Sequence, residues 1–289
     1  MKAALLLLLL LAGCGGAGPR YLVGEPYRMG GVWSYPREDF SLVETGLAAR
    51  HPGPGGFGAA TANGEGWSGG RALAAHRTLQ LPAVVTVTNL ENGRALTLRV
   101  NDRGPVNPGR VIGLSDRAAE LLGVPAGGAA QVRVAVDGDR SRALSDATPG
   151  RTVERFAIET APRAAVASES LAPPPGARGA SAAPVQPVAA PAAAAPSAAR
   201  PADIALPETV AIGASQPGRL FVEAGTFSRA DAAQRLAARI PGARIEPFGL
   251  RGERQFRVRL GPWTDVAQAD AALERTLASG VSGARILVD

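Results

Sequence analysis

Two alternating runs on either side of one Asn-Gly pair constrain this chain more than any other feature. Val85 and Val87 alternate with threonines before Glu91-Asn92-Gly93-Arg94, and Leu96, Leu98 and Val100 alternate after it. A period of two buries one face of a strand and wets the other. Asn-Gly tolerates φ > 0 at both turn positions, so the stretch predicts a β-hairpin with its apolar residues on one face. The second strand runs into Asn101-Asp102-Arg103-Gly104-Pro105, where Gly-Pro ends a ladder and leaves Asp102 at the strand end. A rigid scaffold can present a carboxylate to a cleft from such a place. The same position also suits a turn cap or a pair with Arg103, and the residues alone leave both readings open.

Around the hairpin the pattern stays short-stranded. Glu44 to Ala48 opens a folded unit, a Gly/Pro loop follows from His51 to Gly58, and Asn63-Gly64 forces a turn that presents Glu65 from a loop. His76 lies in a mildly apolar run and reads as a structural donor. With no second histidine beside it and a single cysteine far away, no metal site is expected. Val111 to Leu114 reads as a strand, Ser115 as the cap of a helix from Asp116 to Leu122 that Gly123 and Pro125 stop, and Gln131 to Val136 as a closing strand. Short strands, one short helix and glycine-rich connections over 44–137 predict a small β-barrel.

The termini of this unit differ in composition. Lys2 is the only lysine, and Leu5 to Leu11 form an apolar run too short to span a bilayer. Leu11-Ala12-Gly13-Cys14 follows at once and resembles a bacterial lipobox, which makes 1–13 a signal peptide and Cys14 a lipidated membrane anchor. Gly15 in place of Asp implies, by the same resemblance, the periplasmic face of the outer membrane. Residues 14–43 keep no period and read as a tether that packs on the next domain. Beyond 137 the chain turns to Arg-Ser and Asp-Gly pairs, with a stray edge strand over 153–158, and then to alanine and proline. Of 289 residues, 36 are glycine, 24 proline and only 4% aromatic, so much of the chain cannot be packed core. The stretch 138–217 is expected to be a semi-rigid linker that gives the modules at its ends reach. The net charge of +6 is carried almost wholly by arginine and is weak support for a nucleic-acid partner.

The last unit, 218–289, reads βαββαβ. Strands at 220–225, 243–248, 255–260 and 285–288 alternate with a helix over 229–240, capped by Ser228 with Asp231 at the capping-box place, and one over 265–277 capped by Thr264. That order predicts a split, ferredoxin-like or RNP-like α+β sheet with two helices on one face and the other face open. The aromatic-rich signature of RNA readers is missing, so no nucleic acid is expected.

Two resemblances follow from these residues. TANGE (61–65), AAHRTL (74–79), VTNLENG (87–93), VNDRGP (100–105) and GRVIGLS (109–115), behind a lipobox and the lead-in GVWSYPREDF (31–40), resemble the rare lipoprotein A family of septal cell-wall proteins. Its domain is a double-psi β-barrel. VEAGTFS (222–228) and FRVRLGPW (256–263) resemble the SPOR domain, which binds glycan strands stripped of stem peptides. The resemblances imply a septal lytic transglycosylase that needs no cofactor and cuts MurNAc-GlcNAc bonds to 1,6-anhydro ends, with division-apparatus proteins as partners. They put Asp102, Glu65 and His76 in catalysis, with Trp67, Asn63 and Arg103 as barrel residues for substrate. Phe221, Phe256, Arg257 and Arg259 are the candidates on the open sheet. Either carboxylate serves as proton donor in this reading, each raising the other's pKa.

Two departures favour the alternative, a non-catalytic lipoprotein that tethers the outer membrane to septal wall. Gly113 stands where the family usually has Asp. Ala49-Arg50-His51 stands where relatives commonly carry Ser-Trp-Tyr, which removes stacking faces worth roughly 1 kcal/mol or more each. A departure of another kind is Glu223, where the SPOR strand often has Gln, since a carboxylate there weakens contact with an anionic wall.

Overall fold

The structure, a computed structural model, describes residues 18–55, 60–151, 206–249 and 254–289. Cys14, the 153–158 strand and most of the Ala/Pro stretch lie outside these residues. No helix among them is long and apolar enough to cross a membrane.

The hairpin is the centre of the first module. Strand β5 (Ala83–Asn89) pairs antiparallel with β6 (Arg94–Asp102), placing Val85 opposite Leu98 and Val87 opposite Leu96. All four are buried, while Thr86 and Thr97 face outward. The turn differs from expectation, because φ is positive at Gly93 and not at Asn92. Asn92 instead accepts a hydrogen bond from the Arg94 amide through its side chain and donates to the Leu122 carbonyl. Gly93 is required twice over: its φ is +75°, and a Cβ would sit 2.0 Å from the Gly213 carbonyl oxygen.

Four further strands close this hairpin into a ring. β3 (Val43–Arg50) runs antiparallel to β8 (Ala129–Val136) and parallel to β7 (Ile112–Leu114), and β8 continues onto β5. β4 (Leu73–His76) pairs antiparallel with β7 and parallel with β6, which completes a closed six-stranded barrel with no free edge in the circuit. Its interior is filled by Val85, Val87, Leu98, Ile112, Leu114 and Val132, among others. The helix α1 (Asp116–Leu122) is as expected. The Ser115 hydroxyl accepts from the Ala118 amide, and Gly123 ends the helix at φ +72°.

The tether and the expected linker both carry structure. A hairpin of β1 (Tyr27–Met29) and β2 (Val32–Ser34) is held by the Arg77 guanidinium, which donates to the Met29 and Pro105 carbonyls. Residues 138–147, assigned to the linker from sequence, form helix α2 (Gly138–Ala147). Its Ser141 hydroxyl donates to the Val84 carbonyl and accepts from the Val84 amide, fastening it to β5. At the other end, β9 (Ala211–Ile212) pairs with Arg94 and Ala95 at the start of β6, ahead of the stretch that meets β4.

The C-terminal module has the expected order: β10 (Leu220–Phe227), α3 (Ala230–Ala237), β11 (Arg244–Phe248), β12 (Gln255–Trp263), α4 (Val266–Ala278) and β13 (Arg285–Val288). The strands pair antiparallel in the order β11-β12-β10-β13. Both caps differ from the sequence reading. α3 starts after Arg229 with no side-chain cap, because Asp231 takes the guanidiniums of Arg229 and Arg235 instead. α4 is capped by Asp265, not Thr264, its carboxylate accepting from the Gln268 amide.

This module also contacts the barrel directly. Leu47 of β3 is fully buried within the core of the C-terminal module. Thr45 donates to the Val288 carbonyl at 2.6 Å, and Arg110 forks onto Asp270 at 2.7 and 2.8 Å. Gln131 exchanges two hydrogen bonds with the Gly218 backbone. The two modules are therefore not held only by the chain between them.

Candidate functional site

The end of β6 carries the chemistry. Its regular ladder with β4 slips by one residue: Ala74 pairs with Val100 but Ala75 with Asp102. A bulge of this kind re-aims side chains and is common beside active sites. Arg99 and Asn101 reach Glu65, while Asp102 reaches the amide of Ala62 at 2.9 Å. Both carboxylates are thus fixed to the one short loop, 61–65, although they lie far apart in the chain.

They are fixed in different ways. Glu65, which its loop position suggested would be exposed, is only 7% exposed. Oε1 accepts from Asn63 and Arg99, and Oε2 from Arg99 at 2.9 Å and Asn101 at 3.2 Å. Two donors on each oxygen fill the acceptor sites of a carboxylate and leave no lone pair for a proton in transit. Asp102 is lopsided. Oδ1 accepts from the Ala62 and Arg103 amides at 2.9 and 2.8 Å, whereas Oδ2 meets only His51 Nε2, at 3.3 Å. The Asp102 and Glu65 side chains are equally buried, at 9% and 8% exposure, so the difference lies in their partners. The Arg103 guanidinium does not pair with Asp102.

Arg103 and Asn63, expected on substrate, are turned to structural work. Arg103 donates to the carbonyls of Leu79 and Val23, tying the N-terminal segment to the barrel. Asn63 is fully buried; its amide donates to Glu65 and its oxygen accepts from the Thr61 hydroxyl and the Glu65 amide. A side chain at that position is needed to build the loop and has no polar atom left for a ligand. Trp67 is half-buried, packs its edge toward the His51 ring at 5.1 Å and lies over Gly53.

His76 is not brought to Asp102. Its Nδ1 accepts from the amides of Thr78 and Leu79 at 3.2 and 3.1 Å, so Nε2 carries the hydrogen and donates to Glu44 at 2.7 Å. Burial alone would raise the Glu44 carboxyl, but the hydrogen bond from His76, with the charges of Arg285 and Arg37, outweighs it and holds the pKa below the usual 4.5. A group whose folded pKa is depressed contributes stability above its unfolded pKa and loses it as pH falls through the folded one. Wild-type protein should therefore lose more unfolding free energy than Glu44→Gln between about pH 5 and about pH 3. Urea titrations at the two pH values check this, and equal losses would contradict it.

The open sheet face of the C-terminal module was the other candidate surface. Phe221, Arg257 and Arg259 share it. Arg259 lies over the Phe221 ring at 4.2 Å and pairs with Glu246 and Asp289, and Arg257 lies over Phe248 at 3.7 Å. Phe256 does not belong with them. It pairs with Phe227 and packs into the helix-side core, as its place next to Arg257 in an alternating strand demands. Glu223 is held by Arg285 at 2.9 Å. Part of this face is not open: it walls a groove of about 350 Å³ whose other side is Val43, Glu44 and Thr45 of the barrel.

Sequence reasoning passed over Arg99, Asn101 and Glu44, and saw His51 only as a lost aromatic. Charged or amide residues at buried strand positions were the available signal for Arg99 and Asn101.

A family model described as lytic transglycolase matches residues 49–134, and a SPOR domain model matches residues 216–286. A Pseudomonas aeruginosa protein named endolytic peptidoglycan transglycosylase RlpA is 34% identical over 255 residues, covering 82% of this chain and 69% of the relative. The Vibrio cholerae protein of the same name is 36% identical over 162 residues, 46% of this chain and 61% of the relative. That of Rickettsia bellii is 41% identical over 116 residues, 39% of this chain and 51% of the relative.

Proposed function

Because this chain belongs to the RlpA family of endolytic peptidoglycan transglycosylases, with a double-psi barrel and a SPOR domain, we propose that it cuts peptidoglycan glycan strands with Asp102 as acid and base. The observation that carries this assignment is the asymmetry of the two carboxylates. Every acceptor site of Glu65 is filled by protein donors, whereas Asp102 Oδ2 has one partner, His51.

The chemistry needs a single proton carrier. Asp102 protonates the leaving O4 as the C1–O4 bond breaks, the sugar's own C6 hydroxyl oxygen bonds to C1, and the C6 hydroxyl proton returns to Oδ2. Glu65, neutralised by Arg99, holds the 61–65 loop so that the Ala62 amide orients Oδ1. Trp67 offers a ring for stacking. The bond proposed is MurNAc-GlcNAc in strands without stem peptides, which the SPOR sheet holds through Phe221, Arg257 and Arg259. In this reading Cys14 carries the lipid, the protein faces the periplasm from the outer membrane, and it works at the septum beside division-apparatus proteins.

The test is digestion of sacculi with and without prior removal of stem peptides. Wild type is expected to release soluble fragments from the stripped material only. Binding without release would replace the enzyme with a wall tether. Deleting residues 218–289 should cost at least about tenfold in glycan affinity, as expected for loss of a second linked binding module. Because Leu47 then loses its cover, a truncated chain carrying Leu47→Gln as well keeps the comparison free of aggregation. Unchanged affinity in a sacculus pull-down would remove the SPOR sheet from the account.

A further inference from the structure

The place left by Gly113 is occupied. His51 follows directly on β3, and its amide donates to the Leu114 carbonyl at 2.7 Å, so its backbone is fixed beside β7. A Cβ on Gly113 would lie 2.7 Å from His51 Cβ, and one on Gly104 would lie 2.7 Å from His51 Cε1. Two backbones without side chains therefore make the slot in which the imidazole sits. Trp67 closes it edge-on, with ring planes at 83°. The ring ends 3.3 Å from Asp102 Oδ2, the oxygen left free by the backbone donors on Oδ1. His51 is only 8% exposed.

We propose that His51 is a positioning residue that shares one proton with Asp102 and takes the place of the side chain absent at Gly113. This rests on the assignment of Asp102 as acid and base. The ring keeps its hydrogen on Nδ1 throughout, and the shared proton lies between Oδ2 and Nε2, which fixes the direction of Oδ2 before the bond breaks. That proton goes to O4 as C1–O4 opens, and the C6 hydroxyl proton then takes its place between the same two atoms. Other charges around the ring are already paired. Glu65 is bound by Arg99 across the loop, Arg50 by Asp116 at 2.8 Å, and Arg103, 6.0 Å from the Tyr27 ring centre, is bound to backbone carbonyls. Asp102 is thus the group that His51 answers to.

Three variants read this out. His51→Ala should lower kcat by about 100-fold with KM within about threefold, a typical size for losing an acid–base partner. His51→Gln puts an amide donor near the Nε2 position and should regain about tenfold of that, with a flattened pH–rate profile because an amide does not titrate. Gly113→Ala, whose Cβ displaces the ring, should behave like His51→Ala while melting as a folded protein. Unchanged kcat and pH profile in His51→Ala, or no recovery in His51→Gln, would overturn the proposal. A second readout does not depend on turnover. The chain has two histidines, so ¹⁵N-histidine labelling gives two imidazoles. Asp102→Asn should move the His51 ring nitrogens and leave those of His76 in place. If His51 does not respond, the pairing is refuted. If it responds in a protein that releases no glycan, the pair stands and the lytic assignment fails instead.

Discussion

Asp102→Asn is expected to lower release of anhydro fragments by about 10²- to 10⁴-fold, the usual range for losing a positioned general acid. The substitution keeps shape and keeps the Oδ1 acceptor for the Ala62 and Arg103 amides, so the strand end should hold its form. Only the protonatable oxygen is exchanged for an amide nitrogen. A melting temperature within a few degrees of wild type, together with lost activity, is the expected pair of results; it is measured by product release and by thermal unfolding of the same preparation. If the variant keeps more than about half of the wild-type rate, far outside the acid–base range, Asp102 is not the proton carrier.

The largest expected effect on stability belongs to Arg99. Arg99→Ala removes the guanidinium from a carboxylate that is only 8% exposed at its side chain and leaves two asparagine amides to face it alone. Breaking a buried pair from one side typically costs about 3–5 kcal/mol, because the partner stays behind uncompensated. For a unit of this size that corresponds to a fall in Tm on the order of 10–20 °C. Replacing both partners, Arg99→Met with Glu65→Leu, should restore much of the melting temperature, since no charge remains buried. It should not restore activity, because the loop that orients Asp102 through the Ala62 amide loses its anchor. A single variant that melts within about 2 °C of wild type, well below the cost of an orphaned buried charge, would contradict this account of Glu65.

Where the sequence reading and the structure agree, one local signal decided the outcome. The alternation of Val85 and Val87 against Leu96 and Leu98 gave the hairpin, because a one-residue slip would have turned every valine and leucine to water. Ser115 and Gly123 bounded α1 because a cap hydroxyl and a left-handed glycine act within one turn. The closure of the barrel was not local. It depends on β4 meeting both β6 and β7, and three-residue β7 carries too few residues to announce a partner.

The site shows the same division. Asp102 at a strand end was visible in Asn101-Asp102-Arg103-Gly104-Pro105, but the roles of its neighbours were not. Asn63 and Arg103 are polar residues beside it in the chain, and only three-dimensional pairing shows that their donors are already taken. Phe256 was misplaced although parity with Arg257 was enough to exclude it from the Arg257 face. The gap at Gly113 and the histidine at 51 looked like two separate losses. They are one arrangement, since the space of the first holds the ring of the second. Sixty-two residues apart in the chain, neither position points to the other before β3 and β7 are paired.

Mass analysis of the fragments that purified protein releases from stripped glycan strands tests the central claim most directly. If Asp102 serves the sugar's own C6 hydroxyl, every new end is a 1,6-anhydro end, and Asp102→Asn yields none. New reducing ends, which require water as the attacking group, would contradict the account, as would anhydro ends made equally well by the variant.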